Sequence, residues 1–481
     1  MSEKKTDCSR RGFLAAGLGA MLTARTSRAA NQSPGGTSRP NIVYVFADQW
    51  RAQATGYAGD PNAATPHLDA LARQSVNFTH AVSGCPVCTP HRASLITGQY
   101  WLTHGVFMND VYLPAEARSV ADILSGAGYD TGYIGKWHLD GHGRSSFIPE
   151  ARRQGFDFWR VLECTHNYNH SEYFGDTPDR KVWRNYDAIS QTREAQRYIR
   201  DHADDDNPFL LMLSWGPPHA PYQTAPPRYR DRYRPEDIKL RPNVPDALAD
   251  TARKELAGYY AHIAALDDCL AELLDTLDNT GIAEDTIFVF ASDHGDLLRS
   301  HGEVKKQQPY DESIRVPFLL RYPRKLAGRE VDTLLNTPDI LPTLLGLAAV
   351  DIPDCVEGRD FSGALLAGET PEADPALLMC VQPFGQWSRA RGGREYRGLR
   401  TQRYTYARGL DGPWLLFDNK TDPYQMNNLV DEPDHRALQQ RLDKKLNETL
   451  RAHGDAFLPG PVYLEREGYE VDDTGTVPYA P

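Results

Sequence analysis

Along the chain, hydrophobic positions gather in short β-branched runs that end in polar residues. Residues 39–48, RPNIVYVFAD, form one such run closed by an acid, and their length and Ile/Val/Tyr/Phe content predict a buried strand. PFLLMLSW (208–215) and TIFVFASDHGD (286–296) have the same form, and SIRVPFLLRYP (313–323) predicts one more strand. Helical spacing alternates with these runs. Leu68, Leu71 and Val76 give it to the stretch 65–82, and Ile263, Leu266, Leu270, Leu273 and Leu277 mark a long amphipathic helix. The stretch 119–139 reads as helix, glycine turn and strand.

Alternating strands and helices imply an α/β fold with a large, mostly parallel sheet covered on both faces. Ligands in such folds sit beyond the carboxyl ends of the strands, so Asp48, Asp293 and His294 are expected to gather on one edge. After about residue 375 the pattern changes. YRGLRTQRYTYA and WLLFDNKTDPYQMNNL alternate like antiparallel strands, and HRALQQRLDKKLNETLRAH reads as a closing helix. A smaller C-terminal subdomain, antiparallel sheet plus helix, is therefore expected over 376–481, after a main domain over 38–375.

The chain has 481 residues and a net charge of −12, which argues against general nucleic-acid or anionic-membrane binding. Once the N-terminus is set aside, no apolar run is long enough to span a membrane. That N-terminus carries Arg10 and Arg11, then Phe13-Leu14 and an Ala/Gly/Leu stretch, with a small-x-Ala site near Ala29. It is similar to a bacterial twin-arginine signal peptide over residues 1–30, against the alternatives of a Sec signal or an uncleaved anchor. The expected location is periplasmic or secreted, with the twin-arginine export machinery as a partner. Seven cysteines, one of them (Cys8) in the signal, are too few for a disulfide scaffold in a chain of this length.

The stretch 84–98, GCPVCTPHRASLITG, places Cys85 and Cys88 two residues apart. A redox or zinc CxxC pair is one reading, weakened because no second CxxC or CxxH accompanies it. Only Cys88 has Pro two residues on and Arg four residues on. That pattern resembles the sulfatase signature Cys-x-Pro-x-Arg, with His91 where the family most often has Ser or Ala. The other segments follow in the family's order: PNIVYVFADQW, GKWHL (135–139), PPHAPY (217–222), SDHGDLLRSHGEVKKQQPYDESIRVP (292–317) and LFDNKTDPYQMNNL. The chain thus resembles the type I, formylglycine-dependent sulfatases of the alkaline-phosphatase-like superfamily over essentially its whole mature length.

The resemblance implies hydrolysis of sulfate monoesters, with Cys88 converted to formylglycine by a formylglycine-generating enzyme and its hydrate as nucleophile. Attack on an anionic ester needs positive charge on the non-bridging oxygens and a strong nucleophile. Asp48, Gln49, Asp293 and His294, with Cys88, are the implied metal ligands. Ca²⁺ is the expected ion, with Mn²⁺ or another divalent metal as runner-up because Gln49 stands where the usual sulfatase has Asp. Arg92 is implied to hold residue 88 and its oxyanion, and Lys136 and Lys306 to charge the sulfate pocket. His138 is the implied base that breaks down the hydrate, and His219 contacts sulfate or protonates the leaving alcohol. Lys305, beside Lys306, fits the spacing less well, and His104 and His301 read as structural.

Residues 155–176, GFDFWRVLECTHNYNHSEYFGD, have a sugar-wall composition of aromatics, Asn and His, against the alternative of a surface loop with buried aromatics. QPFGQWSRARGGREYRG (382–398) is a candidate second, basic wall. The expected substrate is a sulfated carbohydrate of the glycosaminoglycan type, such as glucosamine 6-sulfate. Two alternatives stand beside it. One is a phosphonate monoester hydrolase or phosphodiesterase of the same superfamily, which the ADQWR segment resembles; the other is a non-catalytic glycan-binding relative.

Overall fold

The computed structural model describes residues 39–478; the signal peptide expected over 1–30 lies outside the described residues. The strands are β1 (Asn41–Asp48), β2 (Val76–Val82), β3 (Asp130–Lys136), β4 (Phe158–Leu162), β5 (Glu172–Tyr173), β6 (Lys181–Val182), β7 (Phe209–Pro218), β8 (Thr286–Ser292), β9 (Phe318–Arg321), β10 (Arg329–Asn336), β11 (Ala376–Cys380), β12 (Tyr396–Arg400), β13 (Tyr404–Gly409) and β14 (Gly412–Asp418).

Eight of them form the main sheet in the order β10-β2-β9-β8-β1-β7-β3-β4. β1 lies at its centre, parallel to both β7 and β8. A central strand buries both faces, which is why its sequence is continuously apolar. Alternate residues feed separate cores: Ile42, Tyr44 and Phe46 one side, Val43, Val45 and Ala47 the other. The second core is closed by the helix Ala249–Asn279, which buries Leu256, Ile263, Leu266, Leu270, Leu273 and Leu277.

One local expectation changes, and one expected strand takes a direction that the sequence does not specify. The stretch 65–82 is a helix only over Pro66–Gln74; from Val76 it is strand β2, pairing parallel with β10. Leu68 and Leu71 are buried in that helix as their spacing predicts, but the β-branched and aromatic residues Val76, Phe78 and Val82 take the rest of the stretch into a strand. The strand within 313–323 exists as β9, but it runs antiparallel to β8 and β2. The chain returns to β9 from the edge where β8 ends, so no crossover restores the parallel direction.

β11 to β14 form a separate antiparallel sheet, and the helix Arg436–Ala452 buries Leu442, Leu446 and Leu450. A buried bidentate ion pair ties this sheet to the short helix Asp311–Ile314 that leads into β9: Arg400 Nε and Nη2 each donate at 2.9 Å to the Asp311 carboxylate. Among the described residues no helix is long and apolar enough to cross a membrane.

Candidate active site

Three elements deliver their chemistry to one place. Asp48 closes β1, Lys136 closes β3, and Asp293 and His294 directly follow β8. Into the crevice at these carboxyl ends points the helix Cys88–Thr97, every residue of which is buried. Its sequence explains its position. Val87 is extended, Cys88 takes the first helical turn, and Pro90 sits where an N–H would have no partner anyway. Arg92 lies one turn after Cys88 and so shares its face. Gly98 ends the helix at φ 66°, where a Cβ would meet Val356 at 2.7 Å.

Asp48, Cys88, Asp293 and His294 each offer a ligand atom within 4.8 Å of the others, all four buried. Cys88 Sγ lies 3.2 Å from His294 Nε2 and 3.7 Å from Asp48 Oδ1. His294 Nδ1 donates to the Gly295 carbonyl at 2.9 Å, which points Nε2 at the cluster. The Gln49 backbone N–H donates to Asp293 Oδ1 at 3.0 Å, and Gln49 Nε2 donates to Asp296 Oδ2 at 2.7 Å. Gln49 Oε1 is then buried without a hydrogen-bond partner. Two carboxylates, an imidazole nitrogen and an unpartnered amide oxygen make a donor set that fits a hard divalent cation.

The cations surround this set. Lys306 Nζ donates to Cys88 Sγ at 2.9 Å, and Lys136 Nζ donates to Asp48 Oδ2 at 2.5 Å. Arg92 turns to the carboxylates, reaching Asp293 at 3.1 Å and Asp48 at 3.4 Å, while Nη1 donates to Ser214 Oγ and the Lys136 carbonyl. Burial alone would push the Cys88 thiol up. Lys136, Lys306 and His294 outweigh it and hold its pKa well below the usual thiol range. Asp48, despite burial and Cys88, is held below the carboxylate range by Lys136, while burial and Asp48 push Asp293 up.

Comparison with known proteins gives the family. The family profile "Sulfatase" matches residues 40–350, and that for the C-terminal part of N-sulphoglucosamine sulphohydrolase matches 300–452. The chain belongs to the sulfatase family. It is 50% identical over 441 residues to the ulvan-active sulfatase of Formosa agariphila, covering 90% of this chain and 85% of that one. It is similar in structure (TM-score 0.80, 29% identical) to a Bacteroides thetaiotaomicron protein of a core genetic locus for metabolism of multiple glycosaminoglycans, over 89% of this chain and 98% of that one. The phosphonate monoester hydrolase of Agrobacterium radiobacter superposes at TM-score 0.72 with 25% identity, over 92% and 100% of the two chains.

This sulfatase brings every sequence-identified site residue to the crevice, and it adds residues that no motif marked. His138 Nε2 is bonded at 2.7 Å to Asp110, whose other oxygen takes a 3.0 Å bond from Arg144. Burial would lower the His138 pKa, but Cys164, Asp110 and Cys88 raise it to about 10. Glu163 accepts the backbone N–H groups of Leu139, Asp140 and Gly141 and so holds the turn after His138. His219 donates from Nδ1 to the Ala220 carbonyl at 2.8 Å, and His166 stacks on it at 4.6 Å. Burial and Lys306 keep His219 well below the usual histidine range. Gln49, Asp110 and His138 all have φ between 58° and 72°, a backbone region that costs non-glycine residues energy. Asp296 lay within the quoted SDHGD segment, but nothing in its spacing tied it to Gln49. Asp110 stands in an unremarkable loop and becomes visible only once that loop is seen beside β3.

His91 sits inside the helix, its Nδ1 3.1 Å from both Ser83 Oγ and Thr337 Oγ1. The aromatics of 155–176 are mostly core. Phe156, Trp159, Tyr168 and Phe174 are buried, while His166 is half-buried and Asn167, Asn169 and His170 are exposed. In 382–398, Arg397 is buried against Asp455 and Trp387 is buried, leaving Arg389, Arg391 and Arg394 exposed.

Proposed function

We propose that this sulfatase hydrolyses sulfate monoesters on sugars of an anionic polysaccharide, with residue 88 matured to formylglycine in the cytoplasm before twin-arginine export. The carrying observation is Cys88 at the head of a buried helix, with Lys306 at 2.9 Å and the Asp48–Asp293–His294 cluster behind it. Substrates named for its relatives, ulvan and glycosaminoglycans, support the polysaccharide class. Asp48, Asp293, His294 and Gln49 would hold Ca²⁺, with Mn²⁺ as the runner-up. Bound there, the ion would draw charge from the sulfate oxygens and from residue 88.

The chain's own groups carry the proton and charge movements. Lys136 and Lys306 receive the sulfate oxygens in a dry, buried crevice, where each charge is worth more than in water. One hydroxyl oxygen of the residue-88 hydrate attacks sulfur as its proton passes to the Asp48 carboxylate, whose Oδ1 lies 3.7 Å from Cys88 Sγ, and the bond from sulfur to the sugar oxygen breaks. Burial and Lys306 keep His219 neutral, and the arriving negative charge offsets that. His219 Nε2 can then take up a proton from solvent and deliver it to the leaving oxygen. A neutral hydrate in place of the thiolate removes one of the charges holding His138 protonated. Its Nδ1 then takes the proton of the second hydroxyl as the carbon–oxygen bond to sulfate breaks. Sulfate leaves, the aldehyde is restored, and water rehydrates it.

The test is the mass of the peptide containing residue 88, from protein co-expressed with a formylglycine-generating enzyme, followed by sulfate release from sulfated sugars. Replacement of the thiol by an aldehyde, with sulfate released, is the expected result. An unmodified, inactive protein would favour the non-catalytic glycan-binding reading. Gln49 favours one second reading, a phosphonate monoester or phosphodiester hydrolase. Higher kcat/KM on a phosphate diester than on any sulfate monoester would select it.

A further inference from the structure

Away from the crevice, a cavity of about 630 Å³ opens between the main sheet and the C-terminal sheet. Its wall carries Arg241, Arg315, Arg400, Arg403 and Lys420, against the carboxylates of Asp311 and Asp332. An adjoining cavity of about 320 Å³ shares Gln53, Arg241, Arg315 and Tyr424 and adds Lys239. This concentration of cations stands out in a chain of net charge −12.

Two of these guanidinium groups already have carboxylate partners beyond the pocket wall, Arg241 with Glu312 at 2.9 Å and Arg403 with Asp418 at 2.6 Å, which leaves Arg315, Lys239 and Lys420 as the cations short of a partner. Asp311 already takes a bidentate pair from Arg400, and it is the carboxylate that Arg315 also reaches, at 3.5 Å. Two guanidinium groups thus share one carboxylate. Arg315 Nε is buried with no hydrogen-bond partner, and so is Gln53 Oε1. The field shows on a neighbour: burial, Arg315 and Arg400 together lower the His80 pKa to about 4. Arg241 lies over the Tyr424 ring at 4.8 Å, and Lys239 and Lys420 stand exposed with no ion pair among the described residues. A guanidinium with a spare buried donor, two unpaired lysines and an aromatic face suit an oxyanion carried on a sugar.

We propose that this pocket is a second oxyanion site, separate from the crevice, which binds a sulfate or carboxylate group. The group could be free inorganic sulfate or a charge on an anionic saccharide; both present the same planar or tetrahedral oxygens to Arg315. The pocket lies one layer from the crevice, because the backbone of Glu312, next to Asp311, packs against Gly295 beside His294. A polysaccharide seated here would be held close to the site of hydrolysis.

The experiment uses the full mature chain carrying Cys88→Ala, so that no turnover occurs, and reads binding by calorimetry. Sodium sulfate is one probe and a sulfated hexasaccharide the other, each tested on this protein and on added Arg315→Gln or Lys420→Ala. Free-sulfate recognition gives two sulfate sites, one of which disappears in Arg315→Gln and weakens at least threefold in Lys420→Ala. Saccharide recognition leaves sulfate at one site, but weakens the hexasaccharide about tenfold in Arg315→Gln and at least threefold in Lys420→Ala. Unchanged affinity and stoichiometry for both probes in both variants, with thermal unfolding showing them folded, overturns the proposal. Lys420 is exposed and unpaired, so its variant decides the matter even if Arg315→Gln fails to fold. None of these readouts requires activity, so an inactive enzyme with an intact second site remains distinguishable.

Discussion

Replacing Asp110 with Asn tests whether the buried pair it makes with His138 serves the reaction. The substitution preserves shape and leaves Lys136, Lys306 and the Asp48 cluster in place. Arg144 can only donate, so the new amide oxygen faces Arg144 and the NH₂ faces His138 Nε2. That forces Nε2 to accept, moves the ring proton to Nδ1, and removes the nitrogen that takes the hydrate's proton. The bond lost is a charge-assisted one of 2.7 Å between groups about 2% exposed. Such bonds contribute about 1.5–3 kcal/mol, equivalent to a fall of about 10- to 150-fold in rate. The assay is sulfate release at saturating substrate, with residue 88 confirmed as formylglycine by mass. The fall should appear in kcat, with KM changing less than about threefold, since Asp110 touches His138 rather than sulfate. Arg144→Ala serves as the control for the second partner of Asp110. A folded Asp110→Asn enzyme within about twofold of the native kcat would refute the reasoning.

Gln49→Asp places a carboxylate beside Asp296 and Asp293 and should destabilise the metal-free protein by about 1–4 kcal/mol. Calcium should raise its Tm more than it raises the native one; an equal rise would place residue 49 outside the cation's shell. Gly135→Ala puts a Cβ 2.0 Å from the Ser214 carbonyl at φ +104°, next to Lys136. A loss of about 2–5 kcal/mol in denaturant unfolding is expected, and an unchanged midpoint would contradict the close approach of β3 and β7. Burial raises the Asp187 carboxyl to about 8, above its unfolded value, so its stabilising effect is present below about pH 4 and lost as pH rises to 8. Asp187→Asn should therefore flatten the fall in Tm between about pH 4 and 8; a parallel fall in both proteins would assign the titration elsewhere.

Much of the molecule was already set by local pattern. A continuous apolar run ending in Asp48 can only be a strand buried on both faces, and the edge where such strands end is where an α/β sheet exposes its polar residues. The Cys-x-Pro-x-Arg spacing was likewise legible as a motif, but only packing in the crevice makes a helix of those ten buried residues and puts Cys88 and Arg92 on one face. What failed locally was the second half of the stretch 65–82: Leu68 and Leu71 do lie in a helix, but Val76 belongs to β2, because strand pairing with β10 outweighs so short a periodicity. The direction of β9 was also out of reach, since it depends on where the preceding loop returns.

Only the tertiary structure decided the rest. It brought Asp110 to His138, His166 to His219 and Asp296 to Gln49, pairs separated by 28 to 247 residues or joined across loops that carry no periodic signal. It turned Arg92 toward carboxylates and buried aromatics that composition alone offered to a sugar. Chain propensities act over a few residues, whereas a carboxylate's partner is chosen by which loops a closed core leaves side by side. The sharing of Asp311 by two arginines belongs to the same class, because it arises at the junction of two sheets whose sequences are each unremarkable there.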